Sequence, residues 1–383
     1  MVKVPYSRQN INQKDIKVVS SVLKSDFLTT GPKILEFEKK ISNLFDSKYS
    51  TVVNSATSAL HIACMSLNLG KGDYLWTTPI SFVASTNCAL YCGAKVDFVD
   101  IDINTFNISI DEMEKKLKST PKNKLPKIII LVHLSGHPVD LIRVKKLSLK
   151  YKFKIIEDAS HAVGSFYKGN RIGNCKYSDI CIFSFHPVKI ITTGEGGSIL
   201  TNSKQIANKV SLLRSHGIDK NIKSKFNPWH YDQKYLGYNY RMSDIEAALG
   251  ISQLSRLDKF VTKRNKISQI YKKKLNKKKI KFQVLLPETK SSMHLFIIRV
   301  NKEDRKKIYY NLKKNGINTN LHYIPIYRHS FYKKFKISQK KYKNAEIYYR
   351  EAITLPLYFD LKKSVQLKII KIINTTLSKN FLF

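Results

Sequence analysis

Up to about residue 255 the chain alternates short, β-branched apolar runs with longer stretches of helical period, and no other feature restricts its fold as strongly. The runs lie at residues 75–78, 96–99, 128–132, 153–156, 180–185 and 198–201. Between them, residues 56–68, 82–91, 110–117, 140–151 and 204–213 repeat apolar positions every three to four residues. Strands separated in this way by helices are expected to lie side by side in one sheet, mostly parallel, with helices over both faces. A long helix is expected from Ser243, whose hydroxyl can cap it and whose followers Asp244 and Glu246 suit a positive helix start, to about Leu275. Beyond it the pattern is finer, with strands near 280–284, 294–300 and 317–321 and helices at 303–314 and from about Lys362. The expected architecture is α/β: a large domain over residues 1–255 built on a mostly parallel mixed sheet, N-terminal segment included, and a smaller α+β domain over 256–383.

Charge and cysteines narrow the class. Lys and Arg number 68 against 28 Asp and Glu, a formal net charge of +40, in a chain of 383 residues. A hydrophobic content of 43% is too high for a disordered polyelectrolyte, so the chain folds. The lysines recur almost everywhere, with the densest runs at 272–274 and 277–279. A nucleic-acid or membrane footprint would gather its cations on one face or arm with interleaved aromatics or a known motif. Their scatter reads as solvated surface, and a basic nucleic-acid-binding protein stays as the alternative of another class. Five cysteines, Cys64, Cys88, Cys92, Cys175 and Cys181, form no paired CxxC, and no metal site is expected. No stretch of about 18 apolar residues or leader-like N-terminus is seen, so the expectation is a cytoplasmic protein without a membrane span.

The chemistry concentrates in IIEDASHAVGSFYKGNRIGNCKYSDICIFSFHPVKIITTGEGG. Glu157 and Asp158 close an apolar strand, and ligands of open parallel sheets bind at the carboxyl ends of strands. Lys189 follows the run CIFSF and a Pro187 turn, where desolvation lowers the pKa of an amine and frees it to attack a carbonyl. Each feature alone has an ordinary reading: a helix cap for the carboxylate, a surface residue for the lysine. Together, and in this order, they match the needs of pyridoxal phosphate: a lysine for the aldehyde, a carboxylate for the ring nitrogen, a ring to stack on and an anion site. NSATSAL, starting at Asn54, places hydroxyls and free N–H groups at a helix start. TTPISFVASTN, starting at Thr77, places Phe82 just beyond a strand.

The stretches NSATSAL, TTPISFVASTN, EDASHAVGS, SFHPVKIITTGEGG, LRSHGI and GYNYRMSDIEAALGISQL strongly resemble the sugar aminotransferases of the DegT/DnrJ/EryC1/StrS group, from PYSRQ near the N-terminus to LPLY at Leu355. Within the group, PYSRQ, TTPISFVAS and NLHYIPIYRHSFY look most like its pseudaminic-acid branch. The resemblance implies the pyridoxal-phosphate-dependent transferase fold type I, that of aspartate aminotransferase. By the same likeness Lys189 is the lysine that bonds to the cofactor and moves the proton, Asp158 pairs with the ring nitrogen, His161 lies near the ring hydroxyl and Phe82 stacks on the ring. Ala56, Thr57, Ser58 and Ser184 match phosphate-binding positions. Asn239 matches a residue delivered by a neighbouring subunit, which implies a homodimer with shared sites. Tyr6, the segment Asp26, Phe27, Leu28 and Thr29, and the segment His322, Tyr323, Ile324 and Pro325 match substrate-facing positions. The implied partners are L-glutamate and a nucleotide-sugar ketone, by branch the 4-keto group of a UDP-2-acetamido-2,6-dideoxy-β-L-arabino-hexos-4-ulose. Another 4-keto or 3-keto nucleotide sugar is the alternative substrate. One departure is His137 in HLSGHPVD, where many relatives carry Gln.

Overall fold

The computed structural model describes residues 3–219, 227 and 229–378. Seven strands form the main sheet: β1 (Tyr49–Val53), β2 (Tyr74–Thr77), β3 (Lys95–Phe98), β4 (Ile128–Val132), β5 (Lys154–Asp158), β6 (Ile180–Ser184) and β7 (Gly197–Thr201). Their spatial order is β1-β7-β6-β5-β4-β2-β3. The β6-β5, β5-β4, β4-β2 and β2-β3 pairs are parallel, while β7 runs antiparallel to both β1 and β6. This is the mostly parallel, mixed sheet expected from the alternating pattern.

Side chains on a strand alternate between faces, and here both faces are buried. Ile129 and Leu131, Ile155, Cys181 and Phe183 enter one core with Phe37, Ile41 and Phe260. Ile128, Ile130, Ile156, Ile180 and Ile182 enter another, below the helices α3 (Ala56–Ser66), α4 (Ala84–Tyr91) and α7 (Lys204–Arg214). Runs such as IIILV and ICIFS are therefore buried at every residue, as a sheet covered on both sides requires. The parity of β5 puts Asp158 on the α3/α4/α7 face. Glu157 points to the opposite face, where it accepts hydrogen bonds from His133 Nε2 at 2.8 Å and from Ser178 Oγ. The Val139 N–H donates to His133 Nδ1 at 3.0 Å, which leaves the ring proton on Nε2.

Two helices precede the sheet, α1 (Gln13–Leu23) and α2 (Pro32–Phe45), and two more on the first core's face are α5 (Ile110–Ser119) and α6 (Leu141–Tyr151). The long helix expected from 243 to 275 is instead α8 (Asp244–Leu254) and α9 (Leu257–Lys274). The break has a tertiary cause. Arg256, between them, turns its guanidinium onto the buried carboxylate of Asp15 and onto Asn10 Oδ1 at 2.7 Å, contacts that no helical pattern records.

After α9 a three-stranded antiparallel sheet forms from β8 (Lys281–Phe282), β9 (Phe296–Arg299) and β10 (Ala352–Leu355), with β9 central. The helices α10 (Lys302–Lys314) and α12 (Lys363–Ser378) cover it, and α11 (Lys343–Glu351) leads into β10. Phe296 and Ile298 enter the core shared with α10 and α12, while Leu295 and Ile297 enter a separate cluster with Phe98, Phe106 and Tyr348. The strand expected at 317–321 does not form. That segment makes only single bridges, Ile317 with Val4 and Asn320 with Thr354, because its neighbours are the N-terminal segment and the end of β10 rather than a full strand.

The N-terminal segment crosses to this second sheet, where the Leu357 N–H donates to Tyr6 O at 3.0 Å. Among the described residues no helix is long and apolar enough to cross a membrane, and no group of three or more His, Cys, Asp or Glu is placed to hold a metal.

Candidate active site

Asp158 lies at the carboxyl end of the central strand β5 and is buried. Its Oδ2 accepts a hydrogen bond from Ser85 Oγ at 2.7 Å, and Ser85 is in turn bonded to Ser81 at 2.7 Å. Oδ1 accepts the Ser160 N–H at 3.2 Å. A carboxylate desolvated this far is held in place by hydroxyl and amide donors. Neither serine was singled out by the sequence, although both lie in TTPISFVASTN. Ser85 stands one turn after Phe82 in the first turn of α4, a spacing that puts it back over the strand end.

Lys189 sits in a loop between β6 and β7 that is closed by two backbone bonds, Thr193 N–H to Phe185 O at 3.0 Å and Phe185 N–H to Gly196 O at 2.9 Å. The residue keeps some exposed surface, but the protein around its ammonium is dense, and burial pushes its pKa down to about 8 despite the opposing attraction of Asp158. At neutral pH a measurable share of the amine is thus neutral, which an exposed lysine does not offer. Ser7 braces the loop from the N-terminal segment, donating its hydroxyl to Val188 O at 2.9 Å.

Three imidazoles surround this pair. His161 packs on His294 at 4.4 Å between ring centroids and faces Tyr323 at 6.0 Å, nearly parallel. Burial, together with the Lys189 charge, holds His161 and His294 well below the usual histidine range, and pushes His322 down to about 3. All three are neutral at physiological pH. The Ser135 N–H donates to His161 Nδ1 at 3.4 Å, so Nε2 carries the proton and donates to Tyr323 Oη at 3.0 Å. The Tyr323 hydroxyl proton is left to point elsewhere. Its ring stands 6.3 Å from that of Phe82, which is 58% exposed. Tyr6 stacks obliquely on His322 at 5.3 Å, while Pro325 is buried and Ile324 is exposed. His294 was not among the sequence candidates, since a lone histidine before an apolar run carries no motif.

A cleft of about 830 Å³ opens at the start of α3, walled by Asn54, Thr57, His61, Tyr240, Glu195 and Glu246 among others. Ser55 caps α3 and shares a capping box with Ser58. The Ser58 hydroxyl is committed there, donating to Asn54 Oδ1 at 2.6 Å and accepting the Ser55 N–H. The N–H groups of Ala56 and Thr57 make no hydrogen bond among the described residues. They are the donors a phosphate at this helix start would use. Ser184 ends β6 opposite Gly197, and a Cβ on Gly197 would lie 2.7 Å from the Ala56 nitrogen. Glycine is what lets the start of β7, paired with Ser184, lie against the start of α3. His61 completes the wall, buried, with its Nδ1 3.1 Å from Tyr240 Oη and its Nε2 without a partner among the described residues.

Asn239 lies on the exposed side of the same region. Its backbone bridges Ser215, and the neighbouring Tyr240 accepts the Asn54 N–H at 2.9 Å. Asp26, Phe27, Leu28 and Thr29 are all exposed, between α1 and α2. The fold thus gathers Asp158, His161, Lys189, His322 and Tyr323 in one place, Ala56, Thr57, Ser58 and Ser184 in a second adjoining it, and leaves Asn239 and residues 26–29 at the surface.

The residues fit pyridoxal phosphate. A buried carboxylate, a partly neutral lysine, an exposed ring and unpaired helix N–H groups next to Ser184 are the partners its nitrogen, aldehyde, ring and phosphate need.

Known proteins resemble this chain over nearly its whole length. The sequence pattern of the DegT/DnrJ/EryC1/StrS aminotransferase family matches residues 9–374. The UDP-4-amino-4,6-dideoxy-N-acetyl-beta-L-altrosamine transaminase of Campylobacter jejuni subsp. jejuni serotype O:23/36 is 40% identical over 380 residues, covering 98% of this chain and 96% of its own. Among solved structures, Helicobacter pylori PseC, an aminotransferase of pseudaminic acid biosynthesis, superposes with a TM-score of 0.89 at 32% identity, over 98% of this chain and 99% of its own. Spr1654 of Streptococcus pneumoniae, described as a sugar aminotransferase and solved in its PMP form, superposes with a TM-score of 0.91 at 30% identity, over 97% of this chain and 98% of its own.

Proposed function

Since this chain belongs to the DegT/DnrJ/EryC1/StrS aminotransferase family, we propose that it uses pyridoxal phosphate to move an amino group from L-glutamate to the 4-keto position of a UDP-2-acetamido-2,6-dideoxy-hexos-4-ulose of β-L-arabino form, on the way to pseudaminic acid. The observation that carries the reaction class is the placing of Lys189, desolvated by the protein around its amine, with the buried, hydroxyl-supported Asp158 in one site. The choice of sugar rests on likeness to the Campylobacter transaminase and to PseC.

Pyridoxal phosphate, when bound, supplies the aldehyde that exchanges the amino group and a conjugated ring that takes up electrons. The chain supplies the rest. Asp158 would hold the ring nitrogen in its protonated form, with Ser85 and Ser160 keeping the carboxylate aimed. The N–H groups of Ala56 and Thr57, with Ser184, would hold the phosphate, and Phe82 would cover the ring. Lys189 Nζ, neutral in part at neutral pH, takes a proton from the donor amino acid and later returns one to the sugar carbon. His161, neutral with its proton on Nε2, orients the Tyr323 hydroxyl. Tyr6, residues 26–29 and His322 to Pro325 would meet the sugar nucleotide. Asn239, exposed beside the cleft, would serve the site of a second subunit in a homodimer. The five free cysteines suit a cytoplasmic protein.

The decisive experiment incubates purified protein with L-glutamate alone, and with L-glutamate plus each candidate 4-keto or 3-keto nucleotide sugar in turn, with product stereochemistry read by NMR. The expected result is a yellow protein that loses its visible band with glutamate and forms one axial or equatorial 4-amino epimer from the β-L-arabino ketone alone. Preference for a ring of the other configuration would reassign the substrate, and a protein that neither binds pyridoxal phosphate nor responds to glutamate would end the reading.

A further inference from the structure

Helix α2 lacks a cap of its own. Its N-cap position is Gly31, with no side chain, and Pro32 follows, so the N–H groups of Gly31 and Lys33 open the helix without local partners. Both are taken by one distant residue. Asp244 Oδ2 accepts the Gly31 N–H at 2.7 Å, and Oδ1 accepts the Lys33 N–H at 2.9 Å. Asp244 is fully buried and is itself the first residue of α8, whose start is capped by Ser243 and Glu246. A single carboxylate thus faces the positive ends of two helices, where negative charge is favoured.

The backbone continues the clamp. The Asp244 N–H donates to Leu28 O at 3.0 Å, and Thr29 bridges Ser243. A Cβ on Gly31 would stand 2.4 Å from Phe27 Cβ and 2.8 Å from Asp244 Oδ1, so only glycine fits. Residues 26–29 are pinned at their far end, while Phe27 and Leu28 stay 53% and 48% exposed. The same turn of α8 reaches the active site from its other side. Glu246 walls the cleft with Thr57, and Met242 lies against Gly196 at the end of the Lys189 loop. The core contacts of α2, through Ile34, Phe37, Ile41 and Phe45, are made elsewhere along the helix. Loss of the carboxylate therefore loosens the segment before α2 more than the helix itself.

We infer that Asp244 is a positioning residue that holds the exposed segment Asp26–Thr29 beside the turn of α8 that walls the cleft, and thereby governs capture of the nucleotide-sugar ketone without governing the reaction with the amino donor. The inference rests on the proposed aminotransferase reading, in which the two substrates react in separate halves. Its test measures the halves separately on holoenzyme: loss of the visible band with L-glutamate, and steady-state turnover with the ketosugar. Asp244→Asn, which keeps one acceptor oxygen but places an amide donor against a backbone donor, is expected to raise KM for the ketosugar about tenfold or more while the glutamate half stays within about twofold. Gly31→Ala strains the same clamp from the other side and is expected to give the same split, which covers the case of Asp244→Asn failing to fold. Both halves falling together, or neither changing, in the variant that folds overturns the inference. A wild-type protein inert to glutamate would instead remove the aminotransferase reading, and this inference with it.

Discussion

Lys189 is the residue whose environment does most to set its chemistry. Burial lowers its pKa from 10.5 to about 8, so its charged form is disfavoured in the folded protein relative to the unfolded chain. The sign follows directly. Below pH 8 both states carry the charge and the full cost of burying it is present; between pH 8 and 10.5 the folded state is already neutral and the cost fades; above 10.5 it is gone. The shift corresponds to at most about 3 kcal/mol. Apoprotein with Lys189→Met is thus expected to be more stable than wild type at pH 7, by up to that amount, with the difference vanishing near pH 10.5 in urea titrations, while turnover is abolished. A stability difference that does not change with pH would show that the lysine is not held in the charge-disfavouring setting described. Asp158 and Lys189 could be named as candidates from the sequence because their positions, a carboxylate at a strand end and a lysine on a tight turn, fall in order with the motifs around them, although neither stands out alone. Ser85, Ser7 and His294 were not, since each matters only through a partner 73, 181 or 133 residues away.

At the scale of elements, the start of α3 shows how packing makes a binding site from ordinary parts. A capped helix start is common, and NSATSAL alone describes one. It becomes a candidate anion site because Ser58 spends its hydroxyl on the cap, the N–H groups of Ala56 and Thr57 have no partner among the described residues, and Gly197 lets β7 pack against the helix start with Ser184 paired beside it. Ser55→Ala is expected to cost about 1 kcal/mol, the usual worth of such a cap. Gly197→Ala is expected to cost about 1–3 kcal/mol by overpacking, and also to reduce the pyridoxal phosphate retained after dialysis, because the methyl group would push on the Ala56 nitrogen. Equal stability losses with unchanged retention would separate the cap from the anion site. The strands of the central sheet were legible because burial on both faces makes them continuous apolar runs. β1, reading YSTVV, was missed because only its last residues are apolar, and it is held as an edge strand by pairing with β7 along its whole length. The break between α8 and α9 was missed for the converse reason: the helical period runs through it, and the cause lies in α1.

For the whole molecule, the +40 charge is the loudest number in the sequence and has little to do with the site. Among the described residues, the wall of the cleft at α3 has no Lys or Arg and two carboxylates, Glu195 and Glu246. Lysines instead crowd a second, outer cleft of about 740 Å³ between α9 and the start of α12, walled by Lys259, Lys263, Lys266, Lys362 and Lys363. The runs at 272–274 and 277–279 fall at the end of α9 and just beyond it. Reversing the charge of Lys277, Lys278 and Lys279 is therefore expected to leave kcat/KM within about twofold at physiological salt, with any deficit confined to low ionic strength, where long-range attraction of an anionic substrate still acts. A large loss that persists at high salt would assign these lysines a direct role.

The sequence by itself determined the alternation of strands and helices, the order of the chemical groups along the chain, and the family, because apolar periodicity and short motifs are local and survive without knowledge of what packs against them. The tertiary structure alone decided which groups meet. It set Ser85 under Asp158, fixed the tautomer of His161 and so freed the Tyr323 proton, turned Arg256 out of a continuous helix, and gave α2 a cap from Asp244. Each of these is one or a few hydrogen bonds or ion pairs between residues far apart in the chain, and no pattern of neighbours encodes it.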